Sequence, residues 1–272
     1  IIKFSSINDI ANALQLCDQA LSILEPRKNT NRGTLISLKI QKLAFYTQLR
    51  MVDSATIKEL LDYCLNILEE GEFGWFRIYE VYFYNCTYSG RYEEALEVCG
   101  KVIQSPSFAL MDGSYHDNWL LLGGYLHLLA KLGALDTAKV EATVGDFRYG
   151  KFFNEIEVLK KDKEGMNIPL LLLPILMQLS QKADKHSRDI PIEALEKYRQ
   201  RWLANDMNRR SDSFLKLLIA FSQKDYNPAG ADKKISKELE VLKSETPDVA
   251  GQTWAVEVVP YETLWELLNA QK

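Results

Sequence analysis

Small and apolar residues recur along this chain at the spacing of one helix face. In the segments Ala13 to Leu21, Leu60 to Leu68 and Ala95 to Ile103 they hold relative positions 1, 2, 5, 8 and 9. That is the pattern of an amphipathic helix packed on one side. Cys17, Cys64 and Cys99 occupy the same place in the three copies, 47 and then 35 residues apart. Such periods are typical of stacked helical repeats, which mostly present binding surface. Periodicity and breakers together predict helices at about 6–24, 32–49, 54–70, 74–89, 91–104, 114–132, 134–145, 147–162, 167–182, 190–205, 209–224, 231–244 and 260–270. Pro26, Gly71, Gly90, Pro106, Gly113 and Gly133 are among the breakers that fall at or near the junctions. Joints this short require antiparallel neighbours. The predicted fold is therefore all-α, a series of antiparallel helical hairpins.

One stretch departs from the helical pattern. Thr253 to Val259 is rich in β-branched residues and lies between Pro247 and Pro260, which predicts one extended segment without a visible partner. The amphipathic run Tyr261 to Leu268 that follows reads as a helix closing the stack.

Composition fits a well-packed body of 272 residues, 47% hydrophobic and 26% charged. A formal charge of −4 argues against general affinity for nucleic acid or anionic lipid. The four cysteines read as small, reduced core residues, since equivalent places in successive layers each face their own core and no CxxC spacing occurs. Reduced thiols point to a cytoplasmic setting. Ile168 to Leu179 is the most apolar stretch, yet it contains two prolines and is shorter than the roughly 20 residues a spanning helix needs. No membrane association is expected. The chain opens Ile1-Ile2-Lys3-Phe4 without Met, which leaves room for a leader or further domain upstream.

Sites for chemistry are sparse. No glycine-rich phosphate loop, His-Glu-x-x-His or Gly-x-Ser-x-Gly occurs, and His116, His127 and His186 are scattered singly. No catalytic residue, cofactor or metal is expected. The densest feature is an aromatic run from Phe73 to Tyr88. At 100° per residue, Trp75, Phe76, Tyr79, Tyr82, Phe83 and Cys86 share one arc, the core stripe. Tyr84, Tyr88, Phe73 and Arg77 point the other way. A cluster of Lys197, Arg199, Arg201, Arg209, Arg210 and Lys216, with Tyr198 and Trp202 among them, has the composition of a nucleic-acid surface. Glu196, Asp206 and Asp212 dilute it to an ordinary solvated face.

Tyr79 to Val102 resembles a tetratricopeptide repeat: Tyr79 stands at the family's aromatic position, Gly90 at the turn, Tyr92 two residues later and Ala95 at the close-packed alanine. Phe83, Cys86, Cys99 and Ser107 depart from the family pattern. Gly133 and Ala138 repeat the glycine-to-alanine spacing, and Trp119, Leu122 and Gly123 match the opening of a first helix. The resemblance covers residues 1–145, and further hairpins occupy 146–272. The phrases from Lys161 to Pro169 and from Tyr261 to Leu268 are also similar to segments of helical-repeat proteins from Bacteroidetes. The tetratricopeptide resemblance implies that the hairpins wind into a right-handed superhelix and form a non-catalytic interaction scaffold that takes a peptide or protein partner in a concave groove. Carried over with Gly90 and Gly133 setting the register, the groove positions are Arg77, Glu80, Tyr84, Thr87 and Tyr88, with His127 and Lys131 in the next pair. Lys42 and Leu49 belong to an earlier layer. Such aromatic and charged groups suit a peptide bearing a carboxylate. Tyr84 and Tyr88 packing against a neighbouring repeat is the competing reading. The alternative function is a peptide-sensing regulator whose effector domain lies outside this chain.

Overall fold

The computed structural model describes residues 9–50, 54–148, 150, 152, 168–180, 196–197, 199–200, 209–223, 233–245, 247, 249–250, 254–255 and 257–271. Among them the architecture is all-α, with eleven α-helices. They fall into two compact units that divide between Asp112 and Gly113. This division precedes the point near residue 145 where the repeat pattern fades. The helices expected at 147–162 and 190–205 lie largely outside the described residues.

Unit 1 holds α1 (Ile10–Leu24), α2 (Arg32–Gln48), α3 (Ser54–Leu65), α4 (Phe73–Tyr88) and α5 (Tyr92–Ile103). Side-chain caps start the first two. Asp9 accepts from the Asn12 amide at 3.4 Å and Asn31 from the Gly33 amide at 2.8 Å, each satisfying a donor the helix leaves without a partner. The α1–α2 pair is antiparallel: Cys17 Sγ donates to the Leu38 carbonyl at 3.2 Å, and Lys42 reaches Asp18 at 2.6 Å. By contrast, α2 and α4 run parallel and side by side. Asn85 Nδ2 donates to Thr47 Oγ1 at 3.1 Å, and both residues stand in the last turn of their helices.

The α4–α5 joint shows why Gly90 is needed. Gly90 has φ +71°, the Gly90 amide donates to the Thr87 carbonyl, and the Arg91 amide reaches back to Cys86. These are the two bonds of a Schellman stop, whose left-handed residue favours glycine. Gly133 repeats the arrangement at the end of the next long helix, with φ +75° and the Ala134 amide donating to Leu129. One expectation is corrected here: α3 ends at Leu65 rather than near residue 70. The Ile67 amide closes on Cys64 in a tighter turn, and Gly71 at φ +92° completes the reversal.

Unit 2 contains α6 (Gly113–Lys131), α7 (Thr137–Val144), α8 (Ile168–Leu179), α9 (Arg209–Gln223), α10 (Lys233–Ser244) and α11 (Tyr261–Ala270). Gly124 lets α8 approach α6 closely, because a Cβ there would sit 2.7 Å from Leu173 Cδ2. Tyr125 donates its hydroxyl to the Pro169 carbonyl at 2.9 Å across the same contact. The extended segment has a partner after all: β2 (Trp254–Ala255) pairs antiparallel with β1 (Val249–Ala250), Val249 opposite Ala255. Gln271, just beyond α11, donates to the Leu132 carbonyl at 2.6 Å, fastening α11 to the end of α6.

Arg210 is the keystone of the last three helices. Its side chain is wholly buried, and its guanidinium grips Glu257 through two bonds of 2.6 and 2.8 Å and Glu262 at 2.7 Å. A third nitrogen bonds the Leu242 and Glu245 carbonyls at the C-terminal end of α10. A cation is favoured at that end of a helix dipole, and planar forked pairing is the strong geometry for arginine. Burial alone would lower the Arg210 pKa, but the two carboxylates overcome it and hold the pKa above its ordinary value. Tyr261 adds a ring stacked on Phe214, centroids 4.4 Å apart.

Candidate functional site

The line of α4 selected as a groove proves to be mostly interior. Glu80, Tyr84 and Thr87 are buried, Arg77 and Tyr88 are partly accessible. Glu80 holds Arg77 at 2.6 Å, fixing the guanidinium along the helix. Thr87 returns its hydroxyl to the Tyr84 carbonyl at 3.0 Å. The Tyr84 ring meets Phe83 edge to face, centroids 6.1 Å apart. A helix enclosed on the core stripe and on much of the opposite face is the middle of a layered stack.

Beside the Gly90 turn lies a polar network. Tyr82 donates its hydroxyl to Glu94 at 2.7 Å, and Arg91 bonds Glu94 at 2.7 Å, Tyr82 at 3.2 Å and Asn85 at 2.6 Å. Asn85 passes the chain on to Thr47. Burial, with the Glu94 carboxylate, pushes the Tyr82 phenol far above its ordinary pKa, so it stays protonated as a donor. The network locks α2, α4 and α5 together.

In unit 2, His127 is buried while Lys131, one turn on, is exposed. The imidazole lies 5.3 Å from the Phe147 ring. Burial lowers its pKa against the opposing hydrogen bond with the Gly145 backbone, so the neutral form is favoured. Of the earlier layer, Lys42 is engaged by Asp18 and Leu49 is half-buried.

The basic cluster does not form a free cationic face among the described residues. Arg199 and Lys216 both pair with Asp212, at 3.0 and 2.6 Å, and Arg209 pairs with Glu245 at 2.7 Å. Arg210 is core. Arg201, Tyr198 and Trp202 lie outside the described residues.

All four cysteines are buried and unpaired. Burial raises the thiol pKa of Cys17 and Cys64 to about 11 and of Cys86 to about 12, and it raises that of Cys99 further. Thiols held this way carry little thiolate and are poor nucleophiles. Among the described residues no group of three or more His, Cys, Asp and Glu is placed to hold a metal ion, and no helix is long and apolar enough to cross a membrane. The residues that sequence reasoning missed are Arg210, Glu257 and the Arg91 network. Glu257 carried a signal, as the lone acid in the apolar run from Trp254 to Val259. No family model, curated protein or solved structure matches this chain.

Proposed function

We propose that the chain is a non-catalytic protein-interaction module whose hairpins stack in the tetratricopeptide manner, with the partner bound along the accessible edge of α4. The observation that carries this reading is the parallel, side-by-side placement of α2 and α4, tied in their last turns by Thr47 and Asn85. Repeated inner helices in that relation build a rigid surface, so little ordering entropy is lost when a peptide docks. The contact residues are Arg77, preoriented by Glu80, and Tyr88 at the C-terminal end of the same helix. Tyr84, Thr87 and Glu80 support that edge from within. An arginine and a tyrosine suit a peptide carboxylate and its neighbouring side chain.

A photo-crosslinking phenylalanine analogue in place of Tyr88 tests this in cells of the source organism. A discrete adduct from position 88, with none from Lys58 on the exposed side of α3, is the expected result. Adducts from position 58 alone would move the binding face elsewhere.

A further inference from the structure

Three large apolar side chains stand out into solvent among the described residues, and all belong to unit 1: Ile23 at 54% exposure, Phe73 at 63% and Leu110 at 85%. They share one end of the unit. Ile23 and Arg32 flank the α1–α2 turn. Because α2 and α4 run parallel, their first residues, Arg32 and Phe73, lie at the same end. The chain returns to that end after α5, where Gly71 abuts Ser107 so closely that a Cβ would lie 2.3 Å from its hydroxyl. The turns at 66–72 and 104–112 are therefore side by side; Phe73 follows directly from the first and Leu110 lies within the second.

The charges around these side chains are sorted by sign. Near Ile23 stand Arg27, Lys28 and Arg32, all exposed, while the one nearby acid, Glu25, is engaged by Lys39 at 2.5 Å. Around Phe73 and Leu110 stand Glu69, Glu70, Glu72 and Asp112, all exposed, and residues 66–73 and 104–112 contain no Lys, Arg or His. The nearest cations are engaged elsewhere: Arg77, one turn into α4, is held by Glu80 at 2.6 Å, and Lys101, one turn before the second stretch, lies over the Tyr79 ring. One end of the unit thus carries an apolar knob with a basic collar and an apolar pair with an acidic collar.

We propose that this end of unit 1 is a self-complementary face joining two copies of the chain, with Ile23 and its basic collar on each copy meeting Phe73 and Leu110 and their acidic collar on the other. A two-fold axis between the two patches satisfies both contacts at once, as an isologous interface requires. The helices involved, α1 and α4, both pack on α2, so at about 8–10 Å per helix pair the patches fit one standard interface. A foreign partner would need one of these chemistries, whereas a second copy carries both. Burying apolar residues removes them from water, and charge complementarity fixes register and suppresses wrong docking. The face adjoins Arg77 but lies at the opposite end of α4 from Tyr88, and it does not rest on the peptide-binding role.

Sedimentation velocity of the full chain tests this, using Glu69→Lys with Glu70→Lys and, separately, Arg27→Glu with Lys28→Glu. These side chains are exposed, and circular dichroism checks that each variant is folded. The wild type should sediment as a dimer that dissociates as salt rises. Each reversal should raise the dissociation constant by more than about a hundredfold, since it sets like charges against each other twice. Mixed in equal amounts, the two variants should form a dimer again, because every reversed contact then meets its complement. A monomeric wild type, a dimer indifferent to both reversals, or a mixture that stays monomeric would each overturn the proposal, including the case in which a basic peptide binds the monomer.

Discussion

Arg210→Ala should cost unit 2 about 3–5 kcal/mol, read as a shifted midpoint in urea unfolding followed by the tryptophan and tyrosine signals of that unit. The substitution leaves Glu257, which is wholly buried, and Glu262, which is nearly so, facing each other without their shared cation. It also takes a donor from the Leu242 and Glu245 carbonyls. Leaving a buried charge uncompensated is far more costly than deleting the whole ionic group. Arg210→Met combined with Glu257→Met and Glu262→Met should therefore be less destabilising than Arg210→Ala alone. A loss under about 1 kcal/mol from Arg210→Ala would mean that the cluster is hydrated in solution and does not close the α9–α11 layer.

Tyr84→Ala should cost unit 1 a similar amount, about 3–5 kcal/mol, the usual range for truncating a large buried aromatic. The ring is only 5% exposed, in the helix that packs against α2, α3 and α5. Tyr88→Ala, at a half-buried position one turn on, should cost roughly 1 kcal/mol. Thermal melts of the two variants separate a packing residue from an edge residue. Equal, small losses would restore Tyr84 to the surface.

The helices were legible wherever apolar periodicity met a clear breaker. Gly90 and Gly133 stop α4 and α6 with the same paired backbone bonds, and Cys17, Cys64 and Cys99 are buried as equivalent repeat positions should be. The end of α3 is hidden in the sequence because apolar spacing continues through Ile67 and Leu68, while the i−4 ladder breaks at Ile67, whose amide turns to Cys64 instead. The pairing of Trp254–Ala255 with Val249–Ala250 was not foreseen, since two-residue strands carry almost no pattern. The candidate site was harder. Projection on a helical wheel separates one face from another but does not say whether a second layer covers the outer face. Tyr84, Thr87 and Glu80 look amphipathic by type, and their burial comes from tertiary neighbours that no local spacing encodes. Arg210 looks like part of a basic surface in the sequence because its partners lie 47 and 52 residues away.

Binding of a partner along the accessible edge of α4, with the residues behind it holding the stack, is tested by capture from a lysate of the source organism by wild-type chain and by Arg77→Ala with Tyr88→Ala, with melts run on the same preparations. The double variant should stay folded and lose at least about tenfold in capture, because a few aromatic and arginine contacts dominate such interfaces. Undiminished capture of the same partner by a folded double variant would contradict it.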